Sequence, residues 1–218
     1  MSLNSSVELI RFNDSQQLLD ERGKNGSLQD ADLNYTDLSN LDLSNLNFSG
    51  ANISFTCLNG ACLDGSDLSD TFFQDADWLN VSFKGTILDN AVIQRVDLQQ
   101  GDFSHANLES CQILLCNLEG SRFNSAQLPD IQILDSNLIK VDFSHANLES
   151  AELSSSNLEQ ALFAYTNLEN TDLRKTTLSQ AIFKNANTQG TLYYGKSPWD
   201  GKSLNEDWQK KLKSFDGE

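Results

Sequence analysis

Apolar residues recur along this chain at every fifth position. From Leu28 the series runs through Leu33, Leu38, Leu43, Phe48 and Ile53 to Trp78, and on to Leu178 and Phe183, without a frame shift. It lapses at Thr188. A second, mostly small series stands two residues ahead, as at Ala31, Thr36, Ala51, Ser66, Ala91 and Ala126. Between the two lies Asp or Asn in most repeats, as in Ala31-Asp32-Leu33. An α-helix turns about 500° in five residues, so this apolar position would drift about 140° per repeat around its circumference. A strand would send alternate repeats to opposite faces. A chain that bends every five residues keeps all of them inside.

A longer period sets the size of the coil. Phe83, Phe103, Phe123, Phe143, Phe163 and Phe183 recur every 20 residues, and Ile53, Ile93, Ile113 and Ile133 share another such column. The segment DFSHANLES occurs at 102–110 and again at 142–150, two of these periods apart. Like side chains stack when one lies above another, so four repeats make one coil, and the pattern predicts an all-β, four-sided solenoid. Its core columns are the six phenylalanines together with Leu108, Leu148 and their equivalents.

The repeat resembles the pentapeptide-repeat family, whose A(D/N)Lxx consensus stands here as Ala106-Asn107-Leu108-Glu109-Ser110 and Ala146-Asn147-Leu148-Glu149-Ser150. The resemblance covers about residues 26–190. It implies a right-handed quadrilateral β-helix of about eight coils, which at a strand spacing of ~4.8 Å is roughly 39 Å long. Stacked coils need covers at both ends. Residues 1–25, with Val7, Leu9, Ile10, Phe12, Leu18 and Leu19, read as an N-terminal cap segment. Residues 191–218 read as a C-terminal cap, with Ser203-Leu204-Asn205-Glu206 opening a short helix. Trp199, Trp208, Leu212 and Phe215 either cover the last coil or join two chains end to end, as in some family members. The chain is therefore expected as a monomer or a C-terminal homodimer.

Charge narrows the partners. The formal net charge is -16, and the repeats hold 22 acidic residues against 7 basic ones. Such a surface opposes direct binding to nucleic acid or an anionic membrane and favours a basic protein partner. The start of the chain lacks a basic region followed by an apolar run, and no stretch of about 18 apolar residues occurs. A bacterial, cytoplasmic protein with free thiols is the expectation.

No catalytic group and no cofactor is expected. His105 and His145 fall in one corner column two coils apart, roughly 9.6 Å. That is too far for one zinc with imidazole bonds near 2 Å. Cys111 and Cys116 take small inward positions, whereas Cys57 and Cys62 lie between inward positions and are expected to meet solvent. Neither a nucleophile–base arrangement nor a phosphate loop is visible.

Two surface features remain. Asp89, Glu109, Glu149 and Glu169 form a column broken by Pro129, and another side adds Glu119 and Glu159. Phe72, Val92, Leu114 and Leu134 occupy outward positions on one side, with Leu115 at its corner. An apolar patch on a polar rod marks a contact site. The leading expectation is a non-enzymatic protein–protein interaction module. The resemblance supplies an alternative, because some pentapeptide-repeat proteins mimic DNA, bind a type II topoisomerase such as gyrase and protect it from quinolones. Those members carry loops between coils, and no frame shift interrupts residues 28–183 here. A structural or signalling role of the cyanobacterial kind is the third class.

Overall fold

The structure is a computed structural model that describes residues 9–24, 27–194 and 198. Each five-residue repeat forms one side of a square coil, and the corner between sides is a single residue. At every fifth position from Asp30 to Gly190 the backbone enters the left-handed region, with φ between 50° and 71°. Asn, Asp, Ser and Gly fill most of these corners because they tolerate positive φ at least cost.

Residues 20 apart pair in parallel, from Asp32 with Asn52 to Asp172 with Leu192. The central residue of each side donates its N–H to the next coil, as Leu33 to the Asn52 carbonyl at 2.9 Å and Leu108 to Gln127 at 2.7 Å. The residue before it donates to the previous coil, as Asn107 to Thr86 at 2.9 Å. The Asp or Asn of the consensus has a local task. Its side-chain oxygen accepts the N–H two residues on, as Asp37 does from Ser39 and Asn157 from Glu159, both at 3.1 Å.

Four columns of central residues name the sides. The phenylalanine side is centred on Phe83–Phe183 and the glutamate side on Leu88, Leu108 and Leu148. The isoleucine side is centred on Ile93, Ile113 and Ile133, and the tryptophan side on Trp78, Leu98 and Leu118. Chain order places the glutamate and tryptophan sides opposite each other, each flanking the isoleucine side. The central residues from Leu28 to Leu173 are buried. Phe83 to Phe183 stack with ring centroids 4.5–5.4 Å apart. Where the small inward residue carries a hydroxyl, it donates to a main-chain carbonyl, as Thr166 to Phe143 at 2.7 Å and Ser121 to Leu98 at 2.8 Å. No buried hydroxyl need then be left unpaired.

Strand β1 (Ile10–Arg11) lies parallel to β2 (Thr36–Asp37), and helix α1 (Ser15–Arg22) follows it. The helix is opened by Asp14, whose carboxylate accepts the Gln17 N–H at 2.8 Å, while Gln17 Oε1 accepts the Asn13 N–H at 2.8 Å. It ends at Gly23, where a Cβ would stand 2.6 Å from the Leu19 carbonyl oxygen. Phe12 and Leu18 are buried in the core, and Leu19 packs against it. Ile10 is exposed and Val7 lies outside the described residues. The segment expected to form a C-terminal helix and the candidates Trp199, Trp208, Leu212 and Phe215 also lie outside them.

Candidate interaction surfaces

Four consecutive coils of the isoleucine side form a regular parallel sheet: β3 (Phe72–Gln74), β4 (Val92–Gln94), β5 (Gln112–Leu114) and β6 (Gln132–Leu134). The central residues Phe73, Ile93, Ile113 and Ile133 point inward and are fully buried. Eight residues then face outward: Phe72, Val92, Gln112 and Gln132 in one column, and Gln74, Gln94, Leu114 and Leu134 in the other. None of them carries a charge.

The sequence groups Phe72, Val92, Leu114 and Leu134 on one side, and the register places them there in two columns. Phe72 and Val92 are neighbours at one end, Leu114 and Leu134 at the other, so the apolar surface is an oblique band. Phe72 is 40% exposed and Leu115, at the corner, is 54% exposed. The band is bordered at that corner by Arg95, which Asp75 holds by two hydrogen bonds of 2.7 and 2.8 Å.

The glutamate side and the corner that follows it carry Asp30, Asp67, Asp70, Asp89, Glu109, Asp130, Glu149 and Glu169. No basic residue shares these columns. The outward asparagines give the column its order, since Asn167 donates to Asn147 and Asn187 to Asn167, each at 2.9 Å. The same amide oxygens accept the N–H groups of Glu149 and Glu169. Burial, then the neighbouring Glu109 carboxylate, raises the Asp89 carboxyl above the usual carboxylate range. One Asp89 oxygen is buried with no hydrogen-bond partner among the described residues. Glu119 and Glu159 stand on the opposite, tryptophan side, and Lys140 reaches Glu119 at 3.7 Å.

One ionic group escapes a reading by repeat position alone. On the phenylalanine side Asp102 is 6% exposed. It meets Arg122 at 2.9 Å and Lys84 at 3.4 Å and accepts the Ser104 hydroxyl at 2.6 Å. Burial opposes its charge, but these hydrogen bonds prevail and hold the carboxyl at about 2. A depressed carboxylate stabilises the fold above its unfolded value and loses that contribution as pH falls towards the folded value. Asp102→Asn is therefore expected to cost roughly 2 kcal/mol at pH 6. Urea titrations of both proteins should show that difference fading between about pH 4 and pH 2.

The cysteines divide as pairs. Cys111 and Cys116 are buried, and burial pushes the Cys116 thiol up to about 11 and Cys111 further still. Cys57 and Cys62 are half-buried rather than open to solvent. Cys57 is shielded because its sulfur accepts from the Ser39 hydroxyl at 3.0 Å and from Asn59 Nδ2 at 3.2 Å. With an aromatic disulfide reagent at pH 8, Cys57 and Cys62 are expected to react in the native protein, and Cys111 and Cys116 only after denaturant is added. Native titration of all four thiols would contradict this burial. His105 and His145 are both exposed, and His145 stacks on Tyr165 at 4.9 Å. Among the described residues no group of three or more His, Cys, Asp or Glu is placed to hold a metal ion. No described helix is long and apolar enough to cross a membrane.

Comparison with known proteins agrees with this architecture. The family model for pentapeptide repeats matches in 8 copies, over residues 27–65, 61–100, 116–154, 135–163 and 151–190. No curated protein matches the sequence significantly. Among solved structures, the chain is similar to HetL from the cyanobacterium Nostoc sp. strain PCC 7120, a pentapeptide repeat protein involved in heterocyst differentiation regulation. The TM-score is 0.52 at 23% identity, covering 82% of this chain and 87% of HetL. A trypsin-treated form of QnrB1, a plasmid-mediated fluoroquinolone resistance protein, gives a TM-score of 0.69 at 16% identity, covering 87% of this chain and 91% of QnrB1. At such identities the likeness is one of fold. With the family model matched across most of the repeat region, the chain belongs to the pentapeptide-repeat family and folds as its right-handed quadrilateral β-helix.

Proposed function

We propose that this protein is a non-enzymatic interaction module, a rigid rod that engages a partner protein through its isoleucine side. The observation that carries the reading is the absence of charge from all eight outward residues of β3–β6, in a chain of net charge -16. Burying an unpaired charge in an interface is costly, whereas glutamine and apolar side chains are buried at little cost. Four successive coils of one side kept clear of carboxylates on so acidic a rod are suited to being covered. Leu114→Asp with Leu134→Asp should leave Tm within about 3 °C, since both residues face outward. The pair should abolish retention of the partner on a column of immobilised protein, and undiminished retention would refute the reading.

A second reading has its own support. The glutamate side offers a row of carboxylates with no base among them, and QnrB1, similar in fold, is a fluoroquinolone resistance protein. DNA mimicry directed at a topoisomerase would use that row. It predicts inhibition of gyrase supercoiling that disappears when Glu109, Glu149 and Glu169 are changed to Lys and persists in the Leu114→Asp, Leu134→Asp protein. No inhibition at low micromolar protein would remove this reading and leave the isoleucine side.

A further inference from the structure

Resting on the isoleucine side as the docking surface, we infer that its occupant is an amphipathic α-helix of a partner protein. The helix carries one apolar row flanked by Lys or Arg and lies obliquely across β3–β6. Three features of the surface select it.

The first is what the main chain leaves available. In a β-solenoid the N–H and C=O groups of each side are spent on the coils above and below, as Val92 N–H is on the Thr71 carbonyl and Arg95 N–H on the Leu114 carbonyl. Free sheet edges occur at the ends of the rod and not along its sides. An extended peptide therefore cannot join this surface as an added strand. Contact is made by side chains alone, and a helix, whose main-chain bonds are internal, meets that condition.

The second is the shape of the band. Phe72 and Leu134 stand three coils apart in different columns. At ~4.8 Å per coil and ~3.3 Å per residue across the strand, they are roughly 16 Å apart. A helix of about 12 residues spans that length, with apolar side chains at i, i+3 or i+4, i+7 and i+11 on one face. Gln74, Gln94, Gln112 and Gln132 fill the other two corners of the patch with neutral donors and acceptors. The four coils are about 19 Å tall and a five-residue side at most about 16 Å wide, roughly 300 Å², far short of the ~800 Å² per partner that a stable dimer buries. A second copy of this chain is the poorer fit, because it would also set acidic sides against each other.

The third is the border. Asp70 and Asp130 occupy one corner column, and Asp135 the other, all exposed, while Glu152 continues the Phe72 column beyond β6. None of the four has an ion pair among the described residues. Arg95, the basic residue beside the band, is already neutralised by Asp75. The band is thus edged by unpaired carboxylates at Asp70 and Asp130 on one corner, at Asp135 on the other and at Glu152 beyond its end, and these complement cations flanking an apolar row.

The test uses the full-length protein and three synthetic helical peptides of one length, read by fluorescence anisotropy. One has a leucine row with lysine flanks, one the same row with glutamate flanks, and one lysine flanks with serine in place of leucine. The leucine–lysine peptide is expected to bind saturably. Leu114→Asp with Leu134→Asp should weaken it at least about 10-fold. Asp70→Asn, Asp130→Asn and Asp135→Asn together should weaken it roughly 5-fold at low salt, with the gap closing near 0.5 M salt. Equal binding of the glutamate-flanked peptide, still sensitive to Leu114→Asp, would overturn the basic occupant while sparing the docking surface. Equal binding of the leucine-free peptide, or of the Leu114→Asp, Leu134→Asp protein, would overturn both. Failure of all three peptides to bind would overturn the helical occupant and leave the docking surface to the partner-retention experiment.

Discussion

Phe103→Ala is expected to destabilise the rod by about 3–5 kcal/mol. The ring is fully buried and stacks on Phe83 at 4.5 Å and Phe123 at 4.6 Å. Truncation removes both contacts and leaves a gap that stacked coils cannot close, because the ladders above and below fix their spacing. Nearest-neighbour coupling in a solenoid makes the damage local in origin. Hydrogen exchange should therefore rise most between residues 80 and 126, and Tm should fall by roughly 10 °C. Phe103→Leu places the commonest central residue of this chain in the column and should cost no more than about 1.5 kcal/mol. A uniform loss of protection from end to end would contradict nearest-neighbour coupling.

Ser110→Pro should be nearly as damaging, at about 3 kcal/mol or more, although the residue is exposed. Ser110 has φ of 56°, which proline cannot adopt, and its N–H donates to the Pro129 carbonyl at 3.1 Å. Ser110→Gly keeps that bond and relieves the left-handed strain, so stability should stay within about 1 kcal/mol of the parent. Glu109→Pro, one residue earlier, should be tolerated within the same margin. The Glu109 N–H makes only a 3.4 Å bond to Asn107 Oδ1, and Pro129 already occupies the equivalent position one coil on. The order of Tm values (Pro at 109 well above Pro at 110) is a direct test of which amides build the ladder.

Most of this geometry was legible because each repeat solves the same local problem. Inward position, corner and capping Asp or Asn all follow from a residue's place in the five, and the stacking of Phe83 to Phe183 follows from the period of 20. Features that break the repeat were harder to see. Helix α1 precedes the first repeat, yet its signal is present in Asp14-Ser15-Gln16-Gln17, an N-cap with glutamine three residues on. Burial of Asp102 depends on Lys84 and Arg122 arriving from adjacent coils, so composition along one coil does not reveal it. Shielding of Cys57 likewise needs Ser39, 18 residues away in sequence. The apolar residues at 72, 92, 114 and 134 were visible as a group, but their order as an oblique band comes from pairing register.

The central claim is that one side of the rod is a docking surface, and site-resolved photo-crosslinking in the host cell tests it most directly. A photoreactive phenylalanine analogue at Leu114 on the isoleucine side is compared with the same analogue at Ala164 on the opposite, phenylalanine side. The account predicts a discrete protein adduct from position 114 that position 164 does not give. Adducts of equal yield from both sides, or from position 164 alone, would contradict it.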